Sequence, residues 1–244
     1  MIKSILSTIL TIFLIQGISL GQITAPKATE VHFPQPEKVT PGAGTSAPSD
    51  AIVLFDGTNM NEWQHLDGSE AKWEMKDSAM TVVKSSGNIK TKRQFSDMQL
   101  HLEFRTPAIV KGEGQFRGNS GVFFQERYEV QVLDNYGNKT YSNGQVGSIY
   151  KQSIPLVNAA KKPGEWQTYD IIYTAPRFNK DGIRVAAGRI TVIHNGVVIQ
   201  NNTEIQGTTE YIGLPKNAPH GAGSLMLQDH GDKVSYRNIW VRTL

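Results

Sequence analysis

Gly118-Asn119-Ser120-Gly121-Val122-Phe123-Phe124-Gln125-Glu126-Arg127-Tyr128-Glu129-Val130-Gln131-Val132-Leu133-Asp134 reads as a β-hairpin. Side chains along a strand alternate between its faces, so Tyr128, Val130 and Val132 of the second strand turn toward a core while Glu129 and Gln131 share the opposite face. A carboxylate and an amide placed this way can each hydrogen-bond sugar hydroxyls, and the carboxylate can also move protons. The plainer alternative for the same pattern is an ordinary half-solvated strand.

Outward from this hairpin the period of two recurs from Ala51 to the C-terminus. Ile52-Val53-Leu54-Phe55 precedes an Asp56-Gly57 turn; Met80–Val83, Leu100–Arg105 and Thr168–Thr174 follow. Asn195-Gly196 separates Arg189–Ile193 from Val197–Ile199 and predicts a tight hairpin, because both central positions of such a turn want positive φ. Ser224–His230, a turn at Gly231-Asp232, and Val234–Arg242 close the chain. The least unlikely helix is a turn or two near Val157 to Lys161. Many short strands, with 23 glycines and 11 prolines at the breaks, predict an all-β sandwich rather than a helix-covered sheet. The lack of a fixed repeat argues against a propeller.

The N-terminus reads differently. Lys3, an apolar stretch from Ile5 to Ile15 and small residues up to Gly21 predict a secretory signal peptide over residues 1–21; the apolar stretch falls short of the roughly 20 residues that span a bilayer. No later segment is apolar enough to span. Residues 22–50 carry Pro26, Pro34, Pro36, Pro41 and Pro48 among Gly, Ser, Thr and Ala, and predict an extended, flexible leader. Residues 51–244 are then one β-sandwich domain. The chain has no cysteine, so neither a disulfide nor a lipid-attachment thiol is available and the fold rests on its core. Its formal net charge of +3 comes from interleaved charges, which does not point to nucleic acid or an anionic membrane as a partner.

A second polar constellation is Gln228-Asp229-His230-Gly231, with Arg237-Asn238 on the returning strand. A histidine beside an aspartate is a natural proton-transfer group, although both could merely shape the turn. Asn119 and Tyr150 are further polar candidates. A double-displacement glycosidase needs two carboxyls about 5 Å apart. The strand around Glu129 offers one, leaving Asp229 as the candidate second. The six histidines show no paired spacing and no loop has calcium-ligand spacing, so no cofactor is predicted; a divalent cation held by oxygen ligands from distant loops stays open, since it would leave no local signature.

Taken together, Leu54–Gly57 with Trp63, Asn119–Gly121, Tyr128–Asp134, Ser148–Tyr150, Lys162–Trp166, Asn195–Val197, Leu227–Gly231 and Arg237–Ile239 resemble the 3-keto-disaccharide hydrolase domain family. The resemblance implies a concanavalin-like jelly-roll sandwich of two antiparallel sheets in a periplasmic or secreted enzyme. Its substrate would be a saccharide already oxidised to a ketone at C3. Such a ketone acidifies the C2 proton, so a base could remove it, the C1 substituent could leave, and water could add back. On strand facing and residue type, Glu129 and His230 are assigned as the base and acid pair, in either order. Asn119, Gln131, Tyr150, Asp229 and Arg237 are assigned to substrate binding. Two further readings stay open: a binding module without turnover, and an ordinary glycosidase using Glu129 with Asp229.

Overall fold

The computed structural model describes residues 34–244; the expected signal peptide and the first part of the expected leader, to residue 33, lie outside them. Fifteen strands form within the unit Val39–Leu244. They are β1 (Ile52–Phe55), β2 (Trp63–His65), β3 (Glu74–Lys76), β4 (Ala79–Thr81), β5 (Ile89–Thr91), β6 (Met98–Arg105), β7 (Ser120–Phe124) and β8 (Tyr128–Val132). There follow β9 (Gln167–Thr174), β10 (Arg177–Phe178), β11 (Arg184–Ala186), β12 (Gly188–His194), β13 (Val197–Ile205), β14 (Met226–Leu227) and β15 (Ser235–Thr243). The segment near Val157 to Lys161 is not helical.

The fold is an all-β jelly-roll sandwich of two antiparallel sheets. The larger sheet runs β13-β12-β9-β6-β15-β4-β3, with β1 also paired to β15; the smaller runs β2-β5-β14-β7-β8. The predicted Asn195-Gly196 hairpin joins β12 to β13, with φ of +51° and +81° at the two turn residues. The β7–β8 hairpin forms as read, Ser120 opposite Val132 and Phe124 opposite Tyr128. Its turn has φ of +52° at Gln125 and +61° at Glu126, which non-glycine residues seldom adopt. Tertiary bonds hold Gln125 there: its amide oxygen accepts from Tyr173 Oη at 2.7 Å and its Nε2 donates to Phe95 O.

The core lies between the sheets. Val122, Phe124, Val130, Val132 and Leu227 of the smaller sheet meet Leu100, Leu102, Phe104, Ile171 and Val192 of the larger, all essentially inaccessible. Three tyrosines of the larger sheet cross this layer to bond the smaller one. Tyr169 Oη donates to Gln131 O, Tyr173 Oη to Gln125, and Tyr236 Oη to Ser120 Oγ at 2.6 Å, which in turn donates to Gln228 O. These bonds pin β7, β8 and the end of β14 from behind. Tyr236→Phe breaks one such chain inside the core and is expected to cost about 1–2 kcal/mol, read from urea unfolding. An unchanged midpoint would show that this crossing adds nothing.

The folded unit begins before the boundary expected at residue 51. Thr45 O accepts from Trp240 Nε1 and Asn238 Nδ2, and Asp50 pairs with Arg242 at 2.6 Å. The last part of the proline-rich stretch is therefore fastened to β15 by polar contacts, which a composition argument does not detect.

Candidate active site

Antiparallel register decides which side chains meet on the outer face of the smaller sheet. Residues 147–150 extend the sheet past β8: Gln131 N donates to Ser148 O, Gly147 N to Gln131 O and Tyr150 N to Glu129 O, with Ile149 opposite Val130. Across β8, β7 and β14 the partners are Glu129, Phe123 and Met226 in one row. The next row holds Gln131, Gly121 and Gln228, whose amide donates to Gly121 O. Because Ile149, Val130, Val122 and Leu227 face the core, alternation puts Tyr150 at the end of the first row and Ser148 at the end of the second.

Gly121 is the floor of this face. A Cβ there would lie 2.6 Å from Glu129 Oε1 and 2.8 Å from Phe123 Cε2, so an alanine would have to displace the carboxyl and the ring that lie over it. Gly121→Ala is expected to cost about 1–3 kcal/mol by overpacking, measured by urea unfolding. An unaltered midpoint would mean that the carboxyl has other room.

Glu129 is 5 % exposed, and its carboxyl accepts no hydrogen bond from the described residues. Burial pushes its pKa up to about 8, and no neighbouring charge contributes. Around it are three buried polar atoms without a partner among the described residues: Gln131 Oε1, Gln228 Oε1 and Ser148 Oγ. Buried polar atoms are nearly always paired, so unmet acceptors gathered on one face mark a place shaped for a polar ligand. The Gln131 amide is held in place by Gln115, to which its Nε2 donates at 2.9 Å. Gln115 Nε2 donates to Thr140 Oγ1 and Gly144 O, and Asn119 Nδ2 donates to Gln115 O.

Tyr150 and Tyr141 share a hydroxyl–hydroxyl hydrogen bond of 2.5 Å. Burial, then Tyr141 and the nearby Glu129, hold the Tyr150 phenol well above the usual tyrosine range, so it remains a proton donor. Lys151 Nζ lies 3.6 Å over the Tyr141 ring. From the other side, Thr209 Oγ1 accepts from Glu129 N at 2.9 Å. Among the described residues no group of three or more His, Asp or Glu side chains could hold a metal ion.

The structure thus brings together Glu129, Gln131, Tyr150 and, through Gln115, Asn119. Asp229 sits just past β14, but its carboxyl is taken up by the backbone amides of Gly87 and Gly231, at 3.0 and 2.9 Å, and shapes the turn. His230 follows it on the exposed rim, and no hydrogen bond or ion pair joins it to Glu129 among the described residues. Arg237 is a correction. Tyr236 points into the core, so Arg237 projects from the outer face of the larger sheet, on the opposite side of the sandwich. There its Nε donates to Glu103 at 2.7 Å and its guanidinium covers the Trp166 ring at 4.2 Å. Gln228 was read as part of the polar run Gln228–Gly231 without a role of its own, and Ser148, Gln115 and Tyr141 were not singled out as site residues. Of the last three only Ser148 carried a local signal, since alternation about Ile149 puts it on the face of Tyr150.

A buried, unpartnered carboxyl among free amide oxygens makes this face the candidate site for a polar ligand. Comparison with known proteins sharpens this. Residues 50–242 match the model of the 3-keto-alpha-glucoside-1,2-lyase-like domain, and the chain belongs to that family. A 3-keto-disaccharide hydrolase of Bacteroides thetaiotaomicron is 26 % identical, over 79 % of this chain and 78 % of that one. A solved Parabacteroides distasonis protein assigned as a glycosyl hydrolase is 53 % identical with a TM-score of 0.86, covering 90 % of this chain and 97 % of its own. A second such structure from the same organism, at 22 % identity and a TM-score of 0.59, shares the fold.

Proposed function

We propose that this protein cleaves glycosides whose sugar already carries a ketone at C3, with Glu129 as the group that removes the C2 proton. The observation that carries the reading is the Glu129 carboxyl, buried over Gly121 with no partner and a pKa of about 8, where acid and base forms both exist near neutrality. The carboxylate takes the C2 hydrogen and the electron pair moves onto the C3 oxygen as an enolate. Collapse of the enolate expels the C1 substituent and leaves an enone; water then adds at C1 and a proton returns to C2. Tyr150, kept protonated and next to Glu129, donates to the enolate oxygen. Gln131 Oε1 and Gln228 Oε1 accept from sugar hydroxyls. His230, solvent-facing beyond Asp229, protonates the departing oxygen. The family match and the named relative support the substrate class, and the signal-like residues 1–21 support export to the periplasm or beyond.

The glycosidase alternative is weaker on two observations. A second carboxyl about 5 Å away would raise the Glu129 pKa through its charge, yet burial alone does so, and Asp229 is committed to backbone amides.

The test is cleavage of a 3-keto-disaccharide beside its unoxidised parent. The keto substrate is expected to be cut and the parent at least about a thousandfold more slowly, since an unactivated C2 proton is beyond the reach of a carboxylate. Equal cleavage would remove the ketone from the mechanism, and binding of both without cleavage would leave a binding module. With the carboxylate as base, kcat/KM for the keto substrate is expected to rise with pH above 7, where only about a tenth of Glu129 is ionised, and to fall again at higher pH as the acid that protonates the departing oxygen loses its proton. A profile flat from pH 5 to 9 contradicts that assignment.

A further inference from the structure

We propose that a second site, a cavity of about 880 Å³ at the edge of the larger sheet, binds an acidic saccharide carrying carboxylate or sulfate groups. It rests on the proposed function only in taking the ligand for a saccharide. The cavity is lined by Lys76, Lys84, Arg105, Lys111 and Lys233, with Thr106 among them. None of the four lysines forms an ion pair among the described residues. The Arg105 guanidinium rests over the Trp166 ring at 4.7 Å, which fixes it without neutralising it. Arg117 and Asp134, also in the wall, neutralise one another at 2.7 Å, and Asp232 accepts from Asn119 N. Asp77 is the third carboxylate. Six cations against three carboxylates give this one cavity an excess as large as the formal +3 of the whole chain, so the rest of the surface is close to balanced.

Two features choose the ligand's chemistry. The cavity is far larger than a single inorganic anion needs and suits two or more sugar rings. Thr106 Oγ1, buried just behind the wall, has no partner among the described residues, so an unmet hydrogen-bonding group lies next to the cations. No aromatic ring lines the wall, so stacking of nucleic-acid bases has no platform there. The cavity also adjoins the active face: Gly118 and Asp232 are in its wall, and Asp232 holds the amide of Asn119 at the entry to β7.

Calorimetric titration of the full mature chain tests this with a chondroitin sulfate tetrasaccharide, cellotetraose, sodium sulfate and a thymidine tetranucleotide. The charged tetrasaccharide is expected to bind about tenfold or more tightly than any of the other three, and less tightly as salt rises. Lys84→Gln with Lys233→Gln, both exposed positions, is expected to weaken it about tenfold while leaving the melting temperature and turnover of a neutral 3-keto-disaccharide unchanged. Equal binding of cellotetraose, equal binding of sulfate alone, tighter binding of the tetranucleotide, or no effect of the double substitution overturns the proposal. Failure of the wild-type chain to turn over the keto substrate bears on the proposed function and leaves the binding result standing.

Discussion

Glu129→Gln is expected to lower turnover of a 3-keto-disaccharide by about three orders of magnitude, the loss that follows removal of a positioned proton-transfer group. The substitution keeps the shape of the side chain over Gly121 and replaces the carboxyl by an amide that cannot take a proton. Substrate affinity is expected to change little, because hydroxyl recognition rests on Gln131, Gln228 and Ser148 as well. The fall therefore belongs in kcat, read by single-turnover cleavage with a parallel binding isotherm. A variant that keeps more than a tenth of wild-type turnover would remove Glu129 from the chemistry.

The same variant is expected to gain stability at alkaline pH by about 5 kcal/mol relative to wild type. A carboxyl whose folded pKa lies above its unfolded value holds its proton more tightly in the folded state. Its contribution is whole below the unfolded pKa of 4.5 and is lost as pH climbs through the folded pKa of about 8. Glutamine stays neutral throughout. The two proteins should unfold at similar urea concentrations at pH 4.5 and diverge up to pH 9, with wild type the weaker. For a domain whose whole margin is on the order of 5–15 kcal/mol, that is a large share. Parallel curves over this range would mean that Glu129 is not desolvated when folded.

Much of the fold was legible because it depends on local alternation. Tyr128, Val130 and Val132 announced a core face and Glu129 and Gln131 a free one, and Asn195-Gly196 announced its hairpin. The β7–β8 turn was not announced, since Gln125 and Glu126 adopt positive φ only with bonds from Tyr173 and Phe95. The candidate site divides the same way. Glu129, Gln131 and Tyr150 follow from strand facing, but Gln228 joins them through the register of β14 on β7, set about 100 residues away in sequence. Arg237 was assigned from residue type and its place on the strand returning from the Gly231-Asp232 turn, and the facing of Tyr236 sends it to the other surface. Asp229 illustrates a further gap: a carboxylate in a turn is spent on backbone amides that the sequence does not display.

The most direct measurement is cleavage of a 3-keto-disaccharide in deuterated water, followed by mass spectrometry and NMR of the released sugar. Wild-type enzyme is expected to give product carrying deuterium at C2, beyond the slow exchange of an enzyme-free control. Glu129→Gln should give none above that control. Cleavage by the wild type with C2 still fully protiated would contradict proton removal by Glu129 and the elimination built on it.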